Sequence, residues 1–229
     1  MEINKIYNED CLIGIKKIKD KSIDVSFTSP PYNRVRNDTY DYYDDTLEDY
    51  FGLLDKATKE MLRVTKGYCI INVQQNMCNK SEIFKWLGKY ADKINGVYVW
   101  AKSNPQPANN YRESDNTRSV TNSFEYFFFF KDGKDFRSYG KEQAKNHIIT
   151  NVNSEHFKGH GAVMRYDVAE YFIKKFTKEN DIVLDMFMGC GTTALACINN
   201  KRNYIGFEIA EEYFKICNNR ISCIQQKLF

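Results

Sequence analysis

Apolar positions along this chain switch repeatedly between a period of two and a period near 3.6, the signature of strands alternating with amphipathic helices. Ile3 to Tyr7 reads as a short strand, and Leu12, Ile15 and Ile18 mark a short helix over Cys11–Ile18. The run Ile23-Asp24-Val25-Ser26-Phe27 reads as a buried strand. Leu47, Tyr50, Phe51, Leu54, Ala57, Met61 and Leu62 fall on one face, which predicts a helix over 47–63. Strands follow at Tyr68–Val73, Val97–Trp100 and Phe124–Phe130, with a helix at Ser81–Tyr90. The pattern stops between Ala101 and Asn122 and again between Lys131 and His160. It resumes with a helix at Asp167–Thr177, a strand at Ile182–Asp185 and a helix at Thr192–Asn199. A strand at Asn203–Glu208 and a helix from Glu211 to about Gln225 complete the series. Such alternation predicts an α/β fold, a mainly parallel sheet with helices on both faces.

At 229 residues, 42% hydrophobic and 15% aromatic, the chain suits a single domain with a sizeable core. No apolar run approaches a membrane span, and Met1-Glu2-Ile3-Asn4-Lys5 does not begin a signal peptide. Seven scattered cysteines without a CxxC pair suggest neither a metal site nor a disulfide framework. Reduced thiols in a cytoplasmic protein are the expectation. A net charge of +3 permits a polyanionic partner without demanding one.

Two stretches carry chemistry. The first is Thr28-Ser29-Pro30-Pro31-Tyr32-Asn33. Two successive prolines fix φ and remove two donors, so neither strand nor helix continues through them. A rigid corner follows the strand, presenting a hydroxyl, free carbonyls and an aromatic ring, which suits a flat polar ligand. An ordinary strand-ending turn with a core tyrosine is the plainer alternative. The second is Asp185-Met186-Phe187-Met188-Gly189-Cys190-Gly191-Thr192-Thr193-Ala194, lying between a strand and a helix. Gly189, Gly191 and Ala194 have the G-x-G-x-x-G/A spacing of a nucleotide-binding turn, and Glu208 ends the next strand where a ribose-hydroxyl acceptor belongs. Asp185 would disfavour a phosphate there but suit a ligand bearing an ammonium group. A nicotinamide- or flavin-dependent oxidoreductase is the rival reading; it expects this turn on the first strand, with a second mononucleotide-binding half after it.

Together the two stretches resemble the S-adenosylmethionine-dependent DNA amino-methyltransferases, in the beta-type order that places S-P-P-Y before the cofactor turn. The resemblance covers nearly the whole chain and implies a Rossmann-like methyltransferase sheet with permuted motif order. Asn8-Glu9-Asp10-Cys11 resembles the adenine-contacting segment, although Asp10 could simply cap a helix. Trp100-Ala101-Lys102-Ser103-Asn104-Pro105-Gln106-Pro107 resembles the family's W-x-K-x-N-P-x-P loop. Gly159-His160-Gly161-Ala162-Val163-Met164 resembles the segment closing over the methionine end, where His160 could also be a loop residue without a role. Asp185 to Thr193 resembles D-P-F-x-G-S-G-T-T, departing at Met186 and Cys190. The implied catalytic set is Ser29, Pro30, Pro31 and Tyr32. The implied cofactor set is Asp10, Cys11, Thr28, His160, Ala162, Asp185, Phe187, Gly189, Cys190, Gly191, Thr192, Thr193, Glu208 and Ile209.

What this implies chemically is direct transfer. Ser29 and the Pro30 carbonyl would accept the hydrogens of an exocyclic amine, and Tyr32 would stack on a base flipped out of double-stranded DNA. None of the cysteines follows a proline, so the thiolate chemistry of carbon-5 cytosine methylation is not expected. Family members with serine before P-P-Y tend to be cytosine-N4 enzymes and those with aspartate adenine-N6 enzymes, so the resemblance favours cytosine N4 with adenine N6 as the alternative. The physical difference is acceptor strength, a hydroxyl being weaker than a carboxylate. Arg34, Arg36, Lys102, Arg112 and Arg118 would track phosphates or else form a solvated face. Residues 101–122 are expected as a DNA-facing loop and 131–158 as a small target-recognition insertion. The short insertion leaves room for a second subunit in a homodimer, and the family for a cognate restriction endonuclease. A binding module that has lost catalysis, suggested by Met186 and Cys190, is a third reading.

Overall fold

A computed structural model describes residues 1–33, 41–105, 111–152, 157 and 161–225. The strands are β1 (Lys5–Tyr7), β2 (Val25–Thr28), β3 (Cys69–Val73), β4 (Ile94–Lys102), β5 (Tyr111–Arg112), β6 (Thr117–Arg118), β7 (Phe124–Phe130), β8 (His147–Thr150), β9 (Ile182–Asp185) and β10 (Asn203–Phe207). The helices are α1 (Cys11–Gly14), α2 (Tyr50–Val64), α3 (Lys80–Lys89), α4 (Tyr166–Phe176), α5 (Thr192–Asn199) and α6 (Glu211–Gln225). Eight strands form one sheet in the order β1-β10-β9-β2-β3-β7-β4-β8. All pairings are parallel except those of β7, which runs antiparallel to both β3 and β4.

The phenylalanine-rich strand explains how one sheet carries two helical layers. Side chains alternate across a strand, so Phe127 and Phe129 pack with α4, α5 and α6, while Phe128 and Phe130 pack with α1, α2 and α3. On the first face Phe127 and Phe172 have ring centroids 4.2 Å apart. On the second, Trp86 lies 4.9 Å from Phe130 and donates its indole N–H to Thr58 at 2.9 Å. Helix α2 starts where the Asp49 carboxylate accepts the Gly52 amide at 2.8 Å, satisfying one of the donors a first turn leaves open.

The topology positions the site. From β9 the chain returns through α5 to β10 on one side, and from β2 through α2 to β3 on the other. Adjacent β9 and β2 are therefore the point where the winding reverses, and ligands of open α/β sheets bind beyond the carboxyl ends at such a point. The proline corner leaves β2 there, and the glycine turn leaves β9 beside it.

Two stretches expected to lack regular structure contain some. Strand β4 runs on to Lys102, and residues 111–118 form a small hairpin of β5 and β6 joined by the positive-φ residue Asn116. Within 131–158, His147-Ile148-Ile149-Thr150 adds β8 to the sheet edge beside β4. Both strands of the hairpin have two residues, too few for a period to show, and β8 has only two apolar residues, Ile148 and Ile149, between polar ones. The segment between β7 and β8 also contributes Phe136, which packs edge-on against Tyr68 and Phe129. Among the described residues no helix is long and apolar enough to cross a membrane.

Phe129 is fully buried between Tyr68, Tyr98, Phe172 and Phe176. Phe129→Ala should cost about 3–5 kcal/mol, seen as a lower urea midpoint at unchanged slope.

Candidate active site

The glycine turn is held in place by two carboxylates. Asp185, the last residue of β9, accepts the Thr28 hydroxyl at 2.6 Å, the Thr193 hydroxyl at 2.6 Å and the Phe187 amide at 3.0 Å. Glu208, just past β10, accepts the Gly189 amide at 2.7 Å and the Ala210 amide at 2.8 Å. Gly191 precedes α5 at φ +85°, where a Cβ would lie 2.2 Å from Cys217 Sγ, so the position excludes a side chain on both counts. Burial pushes the carboxyls of Asp185 and Glu208 above their ordinary range, despite the hydrogen bonds that favour their charged forms. No cation touches Asp185 among the described residues, and it faces an acidic group at a distance as well as its donors. A buried carboxylate so placed is complementary to a cationic ligand.

Two cavities meet at this turn. The first is lined by Asp10, Cys11, Tyr43, Met186, Glu208 and Tyr213 among others, and holds about 780 Å³ of empty space, its open mouth included. The second is lined by Tyr32, Ala162, Val163, Asp185, Thr192 and Thr193 among others. Ser29, Phe187 and Gly189 line both. The Thr192 hydroxyl is buried and has no partner among the described residues, an open hydrogen-bonding position in the wall of the second cavity.

The structure thus brings most of the predicted residues together. Pro31 and Ile209 also line the first cavity and Cys190 the second. Thr28 and Gly191 act from behind, one bonded to Asp185 and the other setting the turn. Pro30 is buried but lines neither cavity. Asp10 caps α1, its carboxylate accepting the Leu12 amide at 2.7 Å, and it also lines the first cavity. His160, Arg34 and Arg36 lie outside the described residues. The two departures from the resembled turn are accommodated. Met186 is buried among Leu184, Ile205 and Phe207, and burial pushes the Cys190 thiol up to about 12, which keeps it protonated and un-nucleophilic near neutral pH.

The proline corner is tied to more than a strand end. Tyr32 has its ring buried and its hydroxyl 2.5 Å from Asn72 Oδ1, 2.9 Å from Glu125 Oε2 and 3.1 Å from Ser29 Oγ. The Asn72 amide nitrogen donates to the Tyr126 carbonyl at 3.0 Å, which turns Oδ1 toward Tyr32 and toward Ser29, 3.2 Å away. Lys102 corrects its expected place among phosphate-tracking residues. It lies inside, paired with Glu125 and over the Trp100 ring at 5.0 Å, both partners of the pair largely covered. Arg112 and Arg118 do stand exposed, on the hairpin. Asn72 and Glu125 were not legible as site residues; the only trace was a polar residue within each of two apolar strands.

Asp185 is a group whose acid form the empty fold favours, so it stabilises the fold at low pH and loses that contribution as pH rises through its raised value. Asp185→Asn should therefore leave the unliganded protein folded and raise its Tm at neutral pH, with the gain shrinking on acidification in a scanning-calorimetry series.

Comparison with known proteins agrees with this geometry. The DNA methylase family of N6 and N4 enzymes matches residues 23–219. The orphan methyltransferase M.BamHII of Bacillus amyloliquefaciens is 27% identical over 90% of this chain and 91% of its own length. The type II methyltransferase M.HinfI of Haemophilus influenzae is 25% identical over 96% of this chain and 68% of its own. Among solved structures, the cytosine-N4-specific PvuII DNA methyltransferase shares the fold, with a TM-score of 0.77 at 18% identity over 93% of this chain and 84% of its own. M1.HpyAVI, solved with S-adenosylmethionine, gives 0.66 at 25% identity over 94% and 98%. With its proline corner and glycine turn meeting at one cleft, this chain belongs to the N6/N4 DNA methylase family and is an S-adenosylmethionine-dependent DNA amino-methyltransferase.

Proposed function

We propose that this chain methylates the N4 amine of a cytosine flipped out of double-stranded DNA. The observation that carries the reading is the Ser29 hydroxyl, which stands where the two cavities meet. Bound S-adenosylmethionine supplies an electrophilic methyl group on a sulfonium. The wall suits that molecule: Asp185 complements its ammonium, the unpartnered Thr192 hydroxyl can bind its carboxylate, and Glu208 keeps lone pairs for ribose hydroxyls beside the two amides it accepts. Asp10, Cys11 and Ile209 then flank the adenine end, and Ala162 the methionine end, with His160 assigned there from the sequence.

An exocyclic amine is a poor nucleophile because its lone pair is delocalised into the ring. By donating its own proton to Asn72 Oδ1, Ser29 leaves oxygen lone pairs for an amine hydrogen. The Pro30 carbonyl is the second acceptor. Together they favour a tetrahedral nitrogen, and positioning does the remainder. A neutral hydroxyl suits the amine of cytosine, and the fold neighbour that is cytosine-N4-specific supports the same choice; adenine N6 is the other outcome of the test. Tyr32, its ring plane fixed by its hydroxyl, serves as the wall on which the base stacks. Arg112 and Arg118 on the hairpin meet phosphates, with residues 131–158 reading the target sequence. The same reading places the protein in the cytoplasm, as a homodimer and beside a cognate restriction endonuclease.

Incubating double-stranded DNA with labelled S-adenosylmethionine, then resolving the nucleosides by mass spectrometry, should yield N4-methylcytosine; methyladenine alone would overturn the choice of base. Ser29→Ala should lower turnover by roughly 10²-fold or more with cofactor affinity by calorimetry within a factor of two. Asp185→Asn should do the reverse, losing cofactor affinity first.

A further inference from the structure

Around the Tyr32 hydroxyl, four oxygens make four short contacts: Tyr32 with Asn72, Tyr32 with Glu125, Tyr32 with Ser29, and Ser29 with Asn72. Only the two hydroxyls bring hydrogens, because Asn72 presents its oxygen and Glu125 its carboxylate. Four contacts that share two hydrogens have room for another proton. Glu125 is also the sole carboxylate, among the described residues, hydrogen-bonded into the chain that begins at Ser29. Its other oxygen is held by Lys102.

We infer that Glu125 is the acceptor of the proton that the target amine loses, reached through the hydroxyls of Ser29 and Tyr32. The inference rests on the amino-methyl transfer proposed above. As the nitrogen lone pair forms the new bond to carbon, the nitrogen becomes cationic and its remaining hydrogens strongly acidic. One N–H bond breaks, its electron pair staying on nitrogen, and the proton goes to Ser29 Oγ. The Ser29 hydroxyl turns from Asn72 to Tyr32 and its proton passes to Tyr32 Oη over 3.1 Å, and the Tyr32 proton to Glu125 Oε2 over 2.9 Å. Each hydroxyl gains one proton and loses one; Glu125 ends as a neutral acid. The Glu125 O–H can then donate back to Tyr32, and Tyr32 to Asn72, so that the added proton completes the cluster's bonding. Pro30 cannot do this, since a carbonyl accepts a hydrogen bond but has no proton to hand on. Lys102, bonded to the other carboxylate oxygen, is a positioning residue for Glu125. Glu125 acts through the hydroxyls and does not touch the base.

The test compares the wild-type chain with Glu125→Gln, which keeps the shape and removes the charge, and with Tyr32→Phe, which cuts the relay but leaves the Lys102–Glu125 pair intact. Single-turnover methylation of a duplex should fall at least tenfold in both. Base flipping, followed by 2-aminopurine fluorescence at the target position, and cofactor affinity by calorimetry should stay within twofold for Glu125→Gln. In mixtures of light and heavy water the wild-type single-turnover rate should curve with deuterium fraction, as several protons move together, and the Glu125→Gln rate should follow a straight line. A linear wild-type dependence, or a Glu125→Gln rate within twofold of wild type, overturns the relay while leaving amino-methylation standing. A slowed Glu125→Gln that keeps the wild-type curvature shows a purely structural role and overturns it too. A wild-type chain that methylates no DNA amine overturns both readings.

Discussion

Everything in the site depends on the parallel pairing of β2 with β9. Val25 lies opposite Val183 and Ser26 opposite Leu184, so the two strands end side by side and release their loops into the same space. The buried bond from Thr28 to Asp185 fixes the relative height of those ends. Neither loop alone makes the cleft: Ser29 of one and Phe187 and Gly189 of the other line both cavities. A one-residue slip in this register would turn the strand residues to opposite faces and separate the two.

Much of this was legible because the physics behind it is local. Prolines at 30 and 31 and glycines at 189 and 191 act through backbone geometry that any neighbouring sequence must respect, and the long helices α2, α4 and α6 announce themselves by period. Helix boundaries moved by only a residue or a few, as with α2 over Tyr50–Val64 against the expected 47–63. What escaped was either too short or too distant. Strand β8 offers only Ile148 and Ile149 between polar neighbours, too little to stand out from a loop. Asn72 and Glu125 sit in apolar runs and acquire a role only because antiparallel pairing sets β7 against β3, a relation between residues 53 positions apart that no window along the chain contains.

The departures at Met186 and Cys190 show how a turn can change its side chains and keep its shape. The geometry comes from hydrogen bonds to Asp185 and Glu208 and from the left-handed glycine backbone, none of which involves the side chain of 186 or 190. Met186 fills space between β9 and β10 with an adaptable thioether. Cys190 is a small buried apolar group whose carbonyl, rather than its thiol, is used: it accepts from Arg220 of α6 at 2.6 Å.

The Thr28–Asp185 bond joins residues 157 positions apart, and that separation bears on how the protein comes into being. The acceptor corner is synthesised early, but the strand that supplies its opposite wall emerges only after four-fifths of the chain. Domains gain their native contacts as they leave the ribosome, and long-range parallel pairing is slow to form. A nascent or truncated chain can therefore carry the whole proline corner and yet have nowhere to hold a methyl donor. The two halves of the cleft come together only when β9 pairs with β2.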